Sequence, residues 1–184
     1  MKKKIFISVV AVALVACFAI GGTLAWLMDT TDPVTNTFTV GDIDITLAET
    51  TSNYKMIPGY TIAKDPKVSV TADSEDCYLF VKVEESANFD SFMTYAMATG
   101  WEKLEGEDGV YYRVVKTTDV TREFSVLKDD KVSVLGTVTK DMLNKIENKT
   151  EPAPTLTFTA YAVQLHKSNT EDFEAAEAWA TVNP

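Results

Sequence analysis

The 184-residue chain contains one histidine, His166, and two cysteines, Cys17 and Cys77. A single histidine excludes the His-Glu-x-x-His arrangement, which needs two zinc ligands on one helical face. It also leaves a Ser–His–acid triad no imidazole but that of His166. There is no Gly-x-Ser-x-Gly, no Cys-x-x-Cys and no glycine-rich phosphate loop, so the hydrolase, redox and nucleotide sites built on those motifs are missing. Basic charge is scarce as well: 17 Lys and Arg stand against 27 Asp and Glu, for a net of −10. Such a surface repels nucleic acid and anionic lipid. The acids are scattered in short groups such as Glu84-Glu85, Asp129-Asp130 and Glu171-Asp172, which argues against a disordered acidic tail.

The one long apolar run stands at the start. Lys2, Lys3 and Lys4 precede Ile5–Ile20, then Gly21-Gly22, and the first acid is Asp29. A positive n-region, an apolar h-region and a small-residue exit make an export signal. Thr23 and Ala25 stand at the −3 and −1 positions of a cut between Ala25 and Trp26. The mature chain, Trp26–Pro184, keeps 14 basic and 27 acidic side chains, a net of −13. It is long enough for one domain with a proper core. Two other readings stay open. Ile5–Leu27 is long enough to span a bilayer uncleaved, since about 20 apolar residues suffice. Leu14-Val15-Ala16-Cys17 has the loose shape of a lipoprotein box, although the run continues through Ile20 where a polar tether belongs. Without the signal Cys77 stands alone, so no intrachain disulfide forms. Its alternation with Leu79, Val81 and Val83 marks a small buried apolar residue, the other reading being a thiol that joins two chains.

The body reads as strands. Asp42–Leu47 alternates, with Ile43, Ile45 and Leu47 on one face, the pattern of a half-buried strand. Lys67–Thr71 (Val68 and Val70 inward), Cys77–Val83, Val110–Val115, Glu123–Leu127, Lys131–Leu135 and Thr155–Leu165 follow. Pro58-Gly59 signals a turn, and Asp129-Asp130 reads as a short hairpin connection between its flanking strands. Helical spacing predicts insertions at Phe89–Ala98, at Asp141–Glu147 with Thr139 as cap, and at Thr170–Thr181 with Thr170 as N-cap and Trp179 in packing. Many short strands without βα alternation predict a mainly β chain, a jelly-roll-like antiparallel β-sandwich with a few short helical insertions after an N-terminal signal helix. The expected organisation is residues 1–25 as signal, 26–40 as a separate N-terminal segment and 41–184 as the sandwich.

Site chemistry is thin. His166, followed by Lys167, reads as an exposed residue past the last strand, without a catalytic role. Asp42 and Asp44 share a strand face where a hard cation such as calcium would find oxygens, but no calcium-loop spacing accompanies them, which favours a solvated face. We therefore expect no catalytic residue, no metal and no cofactor.

Gly21-Gly22-Thr23-Leu24-Ala25-Trp26-Leu27-Met28-Asp29, followed by Asn36-Thr37-Phe38-Thr39-Val40-Gly41, resembles the junction of proteins processed by a SipW-type signal peptidase. These are the TasA and camelysin-like secreted proteins of Gram-positive bacteria. Pro58-Gly59 and Ala160-Tyr161-Ala162-Val163-Gln164 with Ala178-Trp179 are similar to that family too. The resemblance implies a secreted or cell-surface location, the signal peptidase as partner during export, membrane contact only before cleavage, and jelly-roll subunits of biofilm-matrix fibres. In such fibres the N-terminal segment of one subunit completes the sheet of the next. Here the candidate donor strand is Val34, Thr35, Asn36, Thr37, Phe38, Thr39 and Val40, with Pro33 marking its start; pairing of this run inside its own domain is the alternative. Donation to an open edge is a known recognition mode, and a head-to-tail contact that does not close gives filaments. The camelysin branch implies the competing class, a metallopeptidase. A monomeric surface adhesin or accessory matrix protein is the third.

Overall fold

The computed structural model describes residues 42–50 and 54–182. Twelve strands run in order: β1 Ile45–Ala48, β2 Thr61–Ala63, β3 Lys67–Val70, β4 Cys77–Glu85, β5 Met93–Thr94, β6 Glu102–Lys103, β7 Val110–Val115, β8 Glu123–Ser125, β9 Lys131–Val134, β10 Leu156–Gln164, β11 His166–Ser168 and β12 Glu171–Asp172. Three short helices, α1 Phe89–Phe92, α2 Lys140–Glu147 and α3 Ala175–Val182, interrupt or follow them. The chain is mainly β, and all the strand pairs are antiparallel. The sheets are β10-β4-β7-β6, β1-β3-β8, β2-β9-β5 and the hairpin β11-β12.

β4 organises the core because both its faces are apolar. Cys77, Leu79, Val81 and Val83 point to one side and pack with Val68 and Val70 of β3 and with Val126. Two sheets are thereby pressed face to face. Phe80 points to the other side, where Trp179 and Ala178 of α3, Leu104, Val110 and Val163 cover it. The Phe80 and Trp179 rings stand 5.3 Å apart. Burying side chains of this size contributes about 1.5–3 kcal/mol each. Cys77 is fully buried, and loss of water raises its thiol to about 11, so it behaves as the small apolar residue its alternation implied.

The final long strand is read from the sequence to within a residue at each end, and α2 begins where expected: the Thr139 hydroxyl accepts from the Met142 N–H at 3.3 Å. Four expectations need correction. The strand expected at Asp42–Leu47 is shifted, to Ile45–Ala48, and Leu47 is exposed. Asp42 turns its carboxylate to the Ile43 N–H, and the Asp44 backbone N–H donates to the Ser74 hydroxyl at 3.0 Å. The helix expected over Phe89–Ala98 stops at Phe92, because Met93 and Thr94 are drawn into a ladder with Val134 and Ser133. Asp129-Asp130 is no hairpin turn. Both residues have positive φ, but β8 pairs with β3 while β9 pairs with β2 and β5, so the chain crosses between sheets there. The helix expected from Thr170 begins at Ala175, since Glu171 and Asp172 pair with His166–Ser168. Glu177 then accepts from the Glu174 N–H at 3.0 Å, which is half of a capping box.

Arg122 closes one end of the sandwich. Its guanidinium donates to the carbonyls of Thr71, Ala72 (3.1 Å), Ser74 (3.2 and 3.3 Å) and Lys116 (3.0 Å), joining the β3–β4 loop to the segment after β7. Nothing in the spacing of the sequence marks this role.

Candidate functional site

β10 is nine residues long and lies at the margin of its sheet, paired with β4 alone among the described residues. The side of β10 away from β4 can be assigned atom by atom. Thr155 exchanges bonds with Ser86, accepting from its N–H at 3.0 Å and donating to its hydroxyl at 2.9 Å. Leu165 N–H donates to the Asp76 carbonyl at 2.9 Å. Odd-numbered positions therefore face β4. Backbone groups alternate along a strand, so Leu156, Phe158 and Ala160 direct N–H and C=O away from it. The side chains of these same three residues turn into the core, and they are only partly buried. Thr157 is exposed on the opposite face.

A groove of about 420 Å³ adjoins this edge, floored by Phe89, Met93, Val132 and Leu156 and walled by Tyr54 and Lys64. The Lys64 ammonium stands 2.7 Å from Glu49, 5.0 Å from the centre of the Tyr54 ring and 5.4 Å from that of Phe158. Tyr54 donates its hydroxyl to Glu49 at 2.5 Å, and burial together with that carboxylate raises its pKa well above 10. A lysine turned over an open edge is a recognised guard against unwanted strand pairing.

His166 sits in β11, exposed, between two acids. Its Nδ1 is 2.5 Å from Asp172 and its Nε2 is 3.6 Å from Asp76. The Asp172 hydrogen bond, and then the two negative charges, raise its pKa above the ordinary 6.5. Asp76 in turn accepts from the Thr117 N–H at 2.6 Å, which holds its carboxyl below the usual range. The cluster ties the β11–β12 hairpin to the start of β4. Ala25, Trp26, Cys17 and Val34–Val40 lie outside the described residues.

The family described as Camelysin metallo-endopeptidase matches residues 1–97, more than half of the chain. The protein belongs to the camelysin family. Neither the curated proteins nor the solved structures contain a match to it. The camelysin match takes in β1–β5 and ends before β6, so His166 and β10 both lie beyond it. A catalytic zinc needs three protein ligands converging on one point. The described residues do not fit one. Among the described residues no three His, Cys, Asp or Glu are so grouped, and the ring nitrogens of the single histidine face carboxylates.

Proposed function

We propose that this camelysin-family chain is an exported structural subunit, of the cell surface or extracellular matrix of a Gram-positive bacterium, and not an enzyme. Cleavage between Ala25 and Trp26 by a SipW-type peptidase frees the N-terminal segment, and that segment adds as a strand to the sandwich of the next copy, building filaments. Before cleavage the same segment is tethered at the membrane and unavailable.

The observation that carries this reading is the edge of β10, a long strand that among the described residues pairs with β4 alone, beside a groove of mixed polar and apolar lining. Such an edge is a template for another strand. The strongly acidic surface opposes non-specific clustering, so association depends on the donated strand. A peptidase role draws on the family's description; the single histidine and its acidic neighbours supply no metal centre for it.

Chains starting at Trp26 and at Gly41, concentrated and imaged by negative-stain electron microscopy, test the proposal. Filaments from the first and folded monomers from the second support it. Monomers from both would refute self-assembly and move the weight to an adhesin or accessory role.

A further inference from the structure

We infer that the acceptor is the stretch Thr155–Ala160 of β10, and that it takes Thr35–Val40 of a second copy with Thr37 opposite Thr157. The inference rests on the strand-donation reading above and names the site that reading leaves unspecified.

Two runs of the chain match each other. Thr35-Asn36-Thr37-Phe38-Thr39-Val40 and Thr155-Leu156-Thr157-Phe158-Thr159-Ala160 carry threonine, threonine, phenylalanine and threonine at the same four places. Because side chains alternate across a strand, the register that sets Thr37 against Thr157 places all the threonines on the outer face. Asn36, Phe38 and Val40 then fall on the inner face, beside the partly buried Leu156, Phe158 and Ala160. Opposed threonines and aromatic neighbours are favourable cross-strand pairs. In antiparallel addition this register sets Phe38 against Leu156, which lines the groove together with Phe89 and Val132. Thr35–Val40 carries no charge.

Chain direction favours a second copy over the same one. Asp42 is held at the Glu75 end of the sandwich by a 3.2 Å bond. From there β1 runs toward Glu49, Lys64 and Phe158. Phe38 precedes Asp42 by four residues, a reach of at most about 14 Å. Within one copy the acceptor lies beyond that reach: Asp42 bonds Glu75, close to the Cys77–Gln164 pair, whereas Thr157 pairs with Glu84, seven residues or about 23 Å farther along β10. A neighbouring copy is not bound by this reach.

Thr157 directs its N–H toward β4, so relative to an incoming strand it occupies a non-hydrogen-bonded position, where opposed side chains come closest. A disulfide between Thr37→Cys and Thr157→Cys therefore tests the register. Both are made in the chain starting at Trp26, where the buried Cys77 does not compete. The single variants, each with a different tag, are mixed, oxidised and run on a non-reducing gel. We expect a cross-linked heterodimer as the main product. The pairs Thr35→Cys with Thr159→Cys and Thr39→Cys with Thr159→Cys then report antiparallel and parallel addition respectively. Filaments without any heterodimer would overturn this acceptor while leaving strand donation intact. A cross-link formed only within one chain, in a variant carrying both cysteines, would overturn the second-copy assignment. No filaments and no cross-link would overturn both readings.

Discussion

The ammonium of Lys64 stands over the ring of Phe158, 5.4 Å from its centre, on β10, which among the described residues pairs with β4 alone. Its charge is balanced by Glu49 at 2.7 Å. Replacing the pair together, Lys64→Met with Glu49→Gln, removes the charge from the edge without stranding either partner. We expect concentration-dependent association to rise in sedimentation velocity. The thermal midpoint should move little, since the side chains are only 12% and 24% exposed and replacing both partners of a buried pair together is often neutral. Unchanged association would show that Lys64 does not guard this edge.

The His166–Asp172 contact makes the C-terminal hairpin pH-sensitive. The Asp172 hydrogen bond raises the folded-state pKa of His166 above 6.5. A raised value contributes stability that is complete below the unfolded pKa and lost as pH climbs through the folded one. Hydrogen-exchange protection of β11 and β12 should therefore weaken from just above pH 6.5 upward relative to His166→Gln. A constant difference between the two proteins over that range would contradict this.

Gly109 is locked by its surroundings. It has φ +72°, and a Cβ there would stand 2.2 Å from the Val83 carbonyl oxygen, while its own carbonyl accepts from the Val83 N–H at 2.8 Å. Gly106 also has positive φ, but nothing lies within 4 Å of its added Cβ. Gly106→Ala should cost about 1–2 kcal/mol of left-handed strain. Gly109→Ala should cost clearly more, because the β4–β7 ladder must shift. Equal losses in urea unfolding would refute the distinction.

Arg122→Lys keeps the charge and loses the planar fork that reaches four carbonyls. An ammonium offers three donors from one point. We expect a loss of about 2 kcal/mol, on the scale of one charged hydrogen bond, read from chemical denaturation. A loss within about 0.5 kcal/mol, the range of ordinary surface changes, would show that the clamp does not matter.

Alternation carried β10 and the inward face of β4 into view from the residues alone, because both strands keep one face apolar throughout. The cap of α2 was equally legible in Thr139. Local patterns failed where a partner elsewhere decides the outcome. Phe89 and Phe92 do form a helical turn, but Val134 claims Met93 for a strand. Asp129-Asp130 bends the chain as expected, yet the strands it joins belong to different sheets. The acceptor edge is the extreme case. Nothing in Leu156–Gln164 distinguishes a marginal strand from a central one, since that depends on which neighbour is missing. Arg122 and Lys64 were silent for the same reason: their partners come from loops and strands far away in the sequence.

The central claim is that the N-terminal segment of one copy is a strand for another. The most direct measurement titrates a peptide covering Trp26–Val40 into the folded chain starting at Gly41, by calorimetry, beside the same peptide carrying Phe38→Asp. Strand donation predicts saturable one-to-one binding by the first peptide and its loss with the second. Absence of binding, or equal binding by both peptides, would contradict it.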